Sequence, residues 1–296
     1  MNKKLLYGLS AASLIAAGLS TALSQRLTVR FYTEISEKIG TRIRLAVLTD
    51  LHSSIYGERQ KILIRMIQRQ NPDIVLLAGD IADDKVPNNG TIQLLSVIGR
   101  QYPCFYVAGN HEFRTGKIHA VKAMVRSFHV HILEGSAMYW TVRGEHLCIC
   151  GVDDPTGFPL RTSDGRIFSS WEEQLQCTAA SKRKDAYTVL LTHRPERAEQ
   201  YRSSGFDLVI AGHAHGGQVR IPGVLNGLYA PQQGLFPKYA GGRYQLGETA
   251  MIVSRGLCKN HRPRIYNPPE VVIVDIVPPT CRRKVPSTKN DLSTNS

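Results

Sequence analysis

Seven side chains that can bind metal ions are distributed over five short motifs in this chain of 296 residues. Each motif follows an apolar run of the kind that forms a β-strand. The motifs are Asp50-Leu-His52, Gly79-Asp80-Ile-Ala-Asp83, Gly109-Asn110-His111-Glu112, the single His193 and Gly212-His213-Ala-His215. A set of carboxylate, imidazole and amide ligands without thiolates suits first-row ions such as Mn²⁺, Fe or Zn²⁺. A pair of such ions is best suited to hydrolysing phosphate esters.

The positions of these side chains predict that they meet in space. In α/β sheets, residues just beyond the carboxyl ends of the strands converge on one ligand crevice. We expect Asp50 and His52 to reach one ion, and the two oxygens of Asp80 to bridge two ions about 3.5 to 4 Å apart. The remaining ligands complete the two sets: Asn110, His193 and His213 for the second ion, and His215 for the first.

Two further polar residues stand beside the ligands and are predicted to be catalytic. His111 follows the ligand Asn110, so it can donate to a phosphoryl oxygen or protonate the leaving group. Asp83 lies three residues beyond the bridging carboxylate and is expected to orient His111 or another imidazole. A single D-x-H or a lone histidine is common, so the prediction depends on the conjunction of five motifs, in order, at strand ends.

From residue 42 onward the apolar pattern alternates between strand and helix. Strands are predicted at residues 43–48, 74–77 and 104–107, with helices at about 58–70 and 91–99, which is βαβαβ order. Hydrophobic residues make up 42% of the chain and charged residues 21%, enough apolar material for a sizeable core. We therefore predict one α/β catalytic domain over residues 42–277.

The two ends of the chain are not expected to belong to this domain. Residues 5–23 form an uncharged run after Lys3 and Lys4, about the length needed to cross a bilayer as a helix. We interpret residues 1–24 as a membrane anchor or a signal segment, and favour the anchor, with the catalytic domain outside the cytoplasm. Residues 25–41 are predicted to be a linker and residues 278–296 a disordered tail.

The excess of basic residues predicts an anionic partner. With 37 Lys and Arg against 24 Asp and Glu, the formal charge is +13, which suits a phosphorylated substrate, an anionic membrane or nucleic acid. Nucleic acid is disfavoured because no nucleic-acid module is appended, and no protein partner is indicated. Two segments are predicted to form the walls of the cleft, 154–168 with Arg161 and 228–244 with Tyr239. The alternative interpretation is that the aromatic rings of these segments pack a long loop against the sheet, and the sequence fits both equally.

The motif set as a whole resembles the calcineurin-like metallophosphoesterase superfamily, from Asp50 to His215. The stretch Gly-His-Ala-His-Gly-Gly-Gln and the stretch Gly151-Val-Asp-Asp-Pro155 further resemble the bacterial YkuE/YaeI-type branch. The resemblance implies a four-layer sandwich of two mixed β-sheets flanked by helices. It also implies two divalent metal ions per chain, held by the same two ligand sets, and a catalytic His111. The branch usually has Thr at position 214, where this chain has Ala214, a position whose side chain is not a ligand.

These observations lead to a metal-dependent phosphoesterase as the predicted function. The substrate would be a phosphate monoester, diester or pyrophosphate, and aromatic and basic residues near an anchor suit a lipid-linked or nucleotide-linked lipid phosphate. A UDP-diacylglucosamine-type pyrophosphate is one candidate. The alternatives are a nuclease or nucleotide phosphodiesterase, and a membrane-tethered protein that binds metal or phosphate without turnover. The intact His111 argues against the last of these.

Overall fold

The structure is a computed structural model that describes residues 22–183, 185–259 and 264–279. Two six-stranded mixed sheets pack face to face, and helices cover the outer face of each sheet. The predicted α/β sandwich of four layers is therefore confirmed. Its central core lies between the sheets, where residues such as Val47, Phe105 and Ile210 are buried.

The first sheet carries the first three of the predicted strands. From one edge to the other, its strands are β1 (Thr28–Ile35), β16 (Glu270–Val277), β2 (Ile43–Leu48), β3 (Ile74–Ala78), β4 (Cys104–Val107) and β5 (Val130–Ile132), with numbers that follow the chain. Strands β2 to β5 are parallel, and β16 runs antiparallel to β2. Strands β2, β3 and β4 are covered on both faces, which explains why they are almost continuously apolar in sequence.

The second sheet repeats this arrangement with a hairpin at each edge. In spatial order its strands are β14 (Gly242–Leu246), β15 (Thr249–Val253), β11 (Leu208–Ala211), β10 (Tyr187–Leu191), β7 (Glu145–Gly151) and β6 (Ser136–Val142). The four central strands are parallel, and the two edge strands are antiparallel to their neighbours. The turn between β6 and β7 places Arg143 and Gly144 at positive φ, 52° and 81°, as a two-residue type I′ turn requires.

Six α-helices and two short ribbons complete the described fold. The helices are α1 (Lys61–Arg69), α2 (Asn89–Gln101), α3 (Asn110–Arg114), α4 (Ile118–Arg126), α5 (Trp171–Ala180) and α6 (Ala198–Ser203). One ribbon pairs β8 (Leu160–Arg161) with β9 (Ile167–Phe168), and the other pairs β12 (Tyr229–Ala230) with β13 (Gly234–Leu235). Helix α1 begins later than predicted because Arg59 and Gln60 have left-handed backbones, at φ 49° and 62°.

The prediction that residues 25–41 form a linker is wrong over β1. This strand pairs with β16 along its whole length, and its Glu34 is buried. Both oxygens of Glu34 accept from Arg243 of the second sheet, at 2.6 Å and 2.9 Å. An edge strand with a half-exposed, polar sequence carries little apolar signal, so its assignment depends on the pairing with β16.

Most of the predicted terminal segments lie outside the described residues. Of residues 1–24 the structure describes 22–24, and of the predicted tail it describes 278–279. Across the described ranges, no helix combines the length and the apolar character that a membrane crossing requires.

Candidate metal centre

The predicted ligands lie just past the carboxyl ends of parallel strands. Asp50 follows β2, Asp80 follows β3, and Asn110 begins α3 after β4. His193 and His213 follow β10 and β11 of the second sheet. The parallel strands of both sheets therefore end at the same edge of the sandwich, which is where such folds bind ligands.

Six of the seven predicted ligands form two groups with the spacing of a metal site. One ligand atom from each of three residues lies within 4.8 Å of the others in both groups: Asp50, His52 and His215, and Asp80, His193 and His213. Oδ2 of Asp80 lies 3.1 Å from Nε2 of His193 and 3.6 Å from Nε2 of His52. This oxygen faces both groups, which is the position that a bridging carboxylate needs.

Six buried polar atoms at this edge make no hydrogen bond of good geometry among the described residues: His52 Nε2, Asp80 Oδ2, Asn110 Oδ1, His193 Nε2, His213 Nδ1 and His215 Nδ1. Two of them, Asp80 Oδ2 and His193 Nε2, face each other as an ion pair at 3.1 Å, and the other four have no partner within hydrogen-bond distance in the described part of the chain. A buried polar atom without a partner costs roughly 1 to 3 kcal/mol, and native proteins contain few of them. Because nitrogen and oxygen ligands of this kind bind first-row cations, the residues present fit a metal pair.

The backbone is strained at most of the ligand positions. Five ligands have positive φ: Asp50 at 50°, His52 at 46°, Asp80 at 52°, His213 at 66° and His215 at 47°. A left-handed backbone costs a residue with a side chain roughly 1 to 2 kcal/mol, and such strain gathers at functional sites. Two glycines allow the close packing, since a Cβ on Gly79 would lie 2.4 Å from His193 Nδ1 and one on Gly109 would lie 2.3 Å from Asp80 Oδ1.

The protonation of the site favours cation binding. Burial alone would raise the pKa of Asp80, but the nearby His193 holds that pKa well below its usual value. Burial alone would lower the pKa of His193, and Asp80 instead raises it to about 10. Burial lowers the pKa of His215 to about 3, and burial together with His193 lowers that of His213 to about 4. At neutral pH the site therefore offers an anion and two neutral imidazoles, and His193 holds a proton that a cation would replace.

Hydrogen bonds to the far ring nitrogens orient two of the imidazoles. Nδ1 of His193 donates to the carbonyl of Ala78 over 2.9 Å, which leaves Nε2 directed at Asp80. Nδ1 of His52 lies 2.9 Å from Oδ2 of Asp83. Sequence reasoning assigned Asp83 to His111 or another imidazole, and its shorter contact is with His52, since Nδ1 of His111 lies 3.5 Å away. Such outer contacts fix the tautomer and direction of a metal ligand.

His111 has a carboxylate partner that sequence reasoning missed. Its Nδ1 lies 2.6 Å from Oδ1 of Asp84, the residue after Asp83. The ring of His111 lies edge-on to that of His52, with 4.4 Å between centroids, and its side chain is partly exposed. His111 therefore stands between the ligand groups and solvent, and its backbone N–H donates to Oδ1 of Asp80 over 2.8 Å. The consecutive aspartates in the sequence were the available signal for Asp84.

Glu112 fixes the backbone around the bridging carboxylate and was also missed as a site residue. Its two oxygens accept four backbone N–H groups, from Asp80 at 3.0 Å, Ile81 at 2.7 Å, Ala82 at 3.0 Å and Gly109 at 2.9 Å. Burial, followed by the repulsion of Asp80, raises the pKa of Glu112 to about 7. The carboxyl group therefore joins the loop that follows β3 to the loop that follows β4.

A buried arginine supports His213 from the second sheet. Nη1 of Arg194 lies 2.9 Å from Nε2 of His213, and Oε1 of Gln232 lies 2.5 Å from the same nitrogen. Arg194 also donates to both oxygens of Asp154, at 2.5 Å and 2.9 Å. Nε2 can serve only one of these partners at a time, and with the proton on Nε2 it donates to Oε1 of Gln232 and leaves Nδ1 as the unprotonated ring nitrogen. Arg194 follows the predicted ligand His193 directly, but no local pattern connected it to Asp154 or Gln232.

Comparison with known proteins agrees with this geometry. A family model described as calcineurin-like phosphoesterase matches residues 43–217, more than half of the chain. The chain belongs to this family. It is therefore a metallophosphoesterase, a hydrolase of phosphoric esters, and the family depends on a dinuclear metal centre.

Relatives of this phosphoesterase share most of its length. A metallophosphoesterase of Aquifex aeolicus that is named uncharacterized is 31% identical over 258 residues, covering 84% of this chain and 92% of that protein. Phosphodiesterase YaeI of Escherichia coli is 26% identical over 240 residues, covering 79% and 82%. Among solved structures, the NAD nucleotidase NadN of Haemophilus influenzae has a TM-score of 0.50 and 15% identity, covering 73% of this chain and 46% of that chain. This last likeness concerns the fold alone.

Some relatives have names that describe them as transmembrane proteins. A Bos taurus protein named transmembrane protein with metallophosphoesterase domain is 25% identical over 222 residues. The match covers 71% of this phosphoesterase and 47% of that protein.

The structure places the two predicted substrate-binding residues of this phosphoesterase in different environments, one exposed and one buried. Arg161 is exposed on β8. Tyr239 is only 7% exposed and packs in the core between the second sheet and its helices, with its ring centroid 5.1 Å from that of Tyr244. Of the two interpretations that the sequence left open for this loop, packing against the sheet fits Tyr239 better.

Proposed function

We propose that this phosphoesterase hydrolyses phosphate esters with two divalent ions held at the edge shared by the two sheets. The first ion would be held by Asp50, His52, Asp80 and His215, and the second by Asp80, Asn110, His193 and His213. The observation that carries the proposal is the gathering of six buried ligand atoms from six of these residues, four of which have no polar partner among the described residues. Mn, Fe and Zn all suit this mixture of ligands.

When bound, the two ions would lower the pKa of a water molecule and offset the negative charge that develops on the phosphoryl oxygens. His111 is the proposed general acid for the leaving oxygen. Because Asp84 holds Nδ1 of His111, the other ring nitrogen, Nε2, is the atom that can donate a proton. Nη1 of Arg114 lies 3.4 Å from the same Nε2, and because a guanidinium can only donate, this contact has to open before Nε2 can donate its proton. In this scheme Asp83 acts through His52.

The proposed substrates are phosphate diesters, monoesters or pyrophosphates in which the phosphate is part of an amphiphile. The uncharged run at residues 5–23 and the formal charge of +13 support a substrate at an anionic membrane. The same run supports a membrane-associated enzyme whose catalytic domain lies outside the cytoplasm, because its short N-terminal end carries the preceding lysines. A lipid-linked or nucleotide-linked lipid phosphate, such as a UDP-diacylglucosamine-type pyrophosphate, fits this description.

Metal analysis and a hydrolysis screen test the proposal together. The purified full chain should bind two Mn²⁺ ions and hydrolyse a chromogenic phosphate ester only when they are present. His111→Ala should keep both ions and lose roughly 10² to 10⁴-fold in turnover, the range for a positioned acid or base. Loss of an ion in that variant would show that His111 is a ligand. Full turnover in the His111→Ala variant would show that His111 is not the general acid.

The strongly basic charge favours a nuclease as the second candidate function. A screen of single-stranded and double-stranded DNA and RNA beside lipid pyrophosphates separates the two possibilities. Turnover of nucleic acid alone would replace the amphiphile proposal, whereas metal binding without turnover of any ester would indicate a protein that only binds metal or phosphate.

A further inference from the structure

One segment beside the metal centre is unusual in being both uncharged and exposed. Residues 221–237 contain no Asp, Glu, Lys, Arg or His, and Arg220 and Lys238 bound the segment. Five of its large hydrophobic side chains are exposed: Val224 by 82%, Phe236 by 67%, Leu235 by 65%, Ile221 by 48% and Tyr229 by 43%. Exposed apolar groups gathered in this way mark interaction surfaces more often than plain solvent-facing surface.

The backbone holds these side chains in fixed turns. Ile221 donates to Leu225 and Val224 donates to Ile221, both over 2.9 Å, so that Val224 stands at the tip of a tight turn. The ribbon of β12 and β13 carries Leu235, and Phe236 follows directly with its N–H bound to the carbonyl of Leu228 at 2.8 Å. The exposed side chains are therefore presented by ordered hydrogen-bonded structure.

This segment is attached directly to the metal centre. Leu228 donates over 2.9 Å to the carbonyl of Gly217, which lies two residues beyond the proposed ligand His215. Gln232, in the turn of the ribbon, reaches Nε2 of His213 at 2.5 Å. The apolar side chains of the ribbon thus lie a few residues from groups that contact the ligands.

The described end of the uncharged N-terminal run is connected by hydrogen bonds to the residues that precede this segment. The carbonyl of Ala22, at the end of this run, accepts from the backbone of Tyr266 at 2.7 Å. The neighbouring Ile265 exchanges hydrogen bonds with Gln218 and Arg220, at 3.1 Å and 2.9 Å. Strand β1 then leads away from the ligand edge, because it is parallel to β16 and hence antiparallel to β2. If residues 5–23 enter a bilayer, as the sequence predicts, the described chain begins at Ala22, which Tyr266 connects to the residues that precede 221–237.

We propose that residues 221–237 form a membrane-docking surface. Val224, Leu235 and Phe236 insert at the boundary between lipid headgroups and acyl chains, and the exposed Lys238 meets the headgroup phosphates. The mouth of the metal centre then faces the headgroups, where it meets the phosphate of an amphiphile that stays in the bilayer. Only this statement about substrate depends on the proposed function, because docking itself requires no turnover.

Fluorescence quenching in vesicles tests the docking surface on the full chain. An indole is introduced by Val224→Trp, and the protein is reconstituted into vesicles of phosphatidylglycerol and phosphatidylcholine with or without brominated acyl chains. The matched control is Ile35→Trp. Ile35 is 49% exposed and lies at the carboxyl end of β1, the end of this strand that is farther from the metal centre. The signal of the unsubstituted protein, which contains Trp140 and Trp171, is subtracted.

We expect bromine to quench the indole at position 224 and to leave that at position 35 unchanged. Adding Leu235→Ser and Phe236→Ser should reduce the quenching at position 224, because burying one such side chain changes an equilibrium constant roughly 10- to 100-fold. An unchanged midpoint of thermal unfolding shows that these surface variants still fold.

Equal quenching at both positions, or none at either, overturns the proposal. So does an emission change at position 224 that depends on protein concentration and not on bromine, since a second copy of the chain would then occupy the surface. Hydrolysis of a soluble chromogenic ester is measured on the same samples. Quenching at position 224 without any hydrolysis would refute the proposed function and leave the docking surface in place.

Discussion

Nδ1 of His111 lies 2.6 Å from Oδ1 of Asp84. The preceding carboxylate, Asp83, instead lies 2.9 Å from Nδ1 of His52. Two consecutive aspartates therefore support two different imidazoles, one proposed as a metal ligand and the other as a general acid. Because the two side chains have the same chemistry and adjacent positions, they allow a matched comparison.

We predict that Asp84→Ala lowers turnover roughly 10- to 100-fold while both ions stay bound, because it frees Nδ1 of His111. Asp83→Ala should instead weaken metal binding by a similar factor, because it releases His52. Metal titration and kcat measured for both variants check the pair. Identical effects of the two substitutions on metal content would show that Asp83 and Asp84 do not have separate roles towards His52 and His111.

The bridging position gives a second prediction. Oδ2 of Asp80 faces both ligand groups, so Asp80→Asn removes the negative charge shared by the two proposed ions. We expect this variant to lose metal occupancy and activity together, as measured by elemental analysis and ester hydrolysis. Asp185→Asn is the control, because Asp185 is an exposed residue paired with Arg183. Two firmly bound ions in Asp80→Asn would exclude the bridging role.

The raised pKa of His193 predicts how metal binding depends on pH. Burial lowers the pKa of this imidazole, but Asp80 raises it to about 10, above the ordinary value for histidine. In the metal-free protein this pairing stabilises the fold fully below the unfolded pKa of about 6.5, and the stabilisation is lost as the pH rises towards 10.

A cation bound by His193 would displace its proton, so the affinity for the cation should rise with pH over the same window, by up to roughly tenfold per unit. The check is metal titration between pH 7 and pH 9, together with the thermal midpoint of the metal-free protein, which should fall. His131→Gln is a suitable control, because His131 is half-buried, stacks on Phe105 and belongs to neither proposed ligand group. An affinity that does not change with pH would contradict the proton displacement.

The position of β1 gives a fourth prediction, which concerns stability. A chain that begins at Gln25 keeps β1 and should fold normally, whereas one that begins at Thr41 loses the whole ladder with β16 and leaves Arg243 without Glu34. Each ladder hydrogen bond lost is worth about 1 kcal/mol. Urea unfolding should therefore give a lower midpoint for the shorter chain. Equal midpoints would show that residues 28–35 add no stability to the domain, as the linker prediction holds.

The sequence alone determined which side chains are candidates for the metal centre. Ligand type is a property of single residues, and the end of a buried strand is visible as the end of an apolar run, so Asp50, Asp80 and His193 were found by local pattern. Parallel strand ends converge in any such sheet, which is why the predicted ligand edge appears in the structure, whereas the four-layer architecture was implied by the resemblance to the family.

Tertiary structure decided the relationships that join distant parts of the chain. The pairing of Arg194 with Asp154 spans 40 positions and that of Arg243 with Glu34 spans 209, and no local periodicity encodes either pair. The same holds for β1, whose polar edge-strand sequence becomes a strand through β16, and for Tyr239, whose ring could face substrate or core until its neighbours were known. Local pattern fixes what a residue is able to do, whereas long-range packing selects the partner with which it does it.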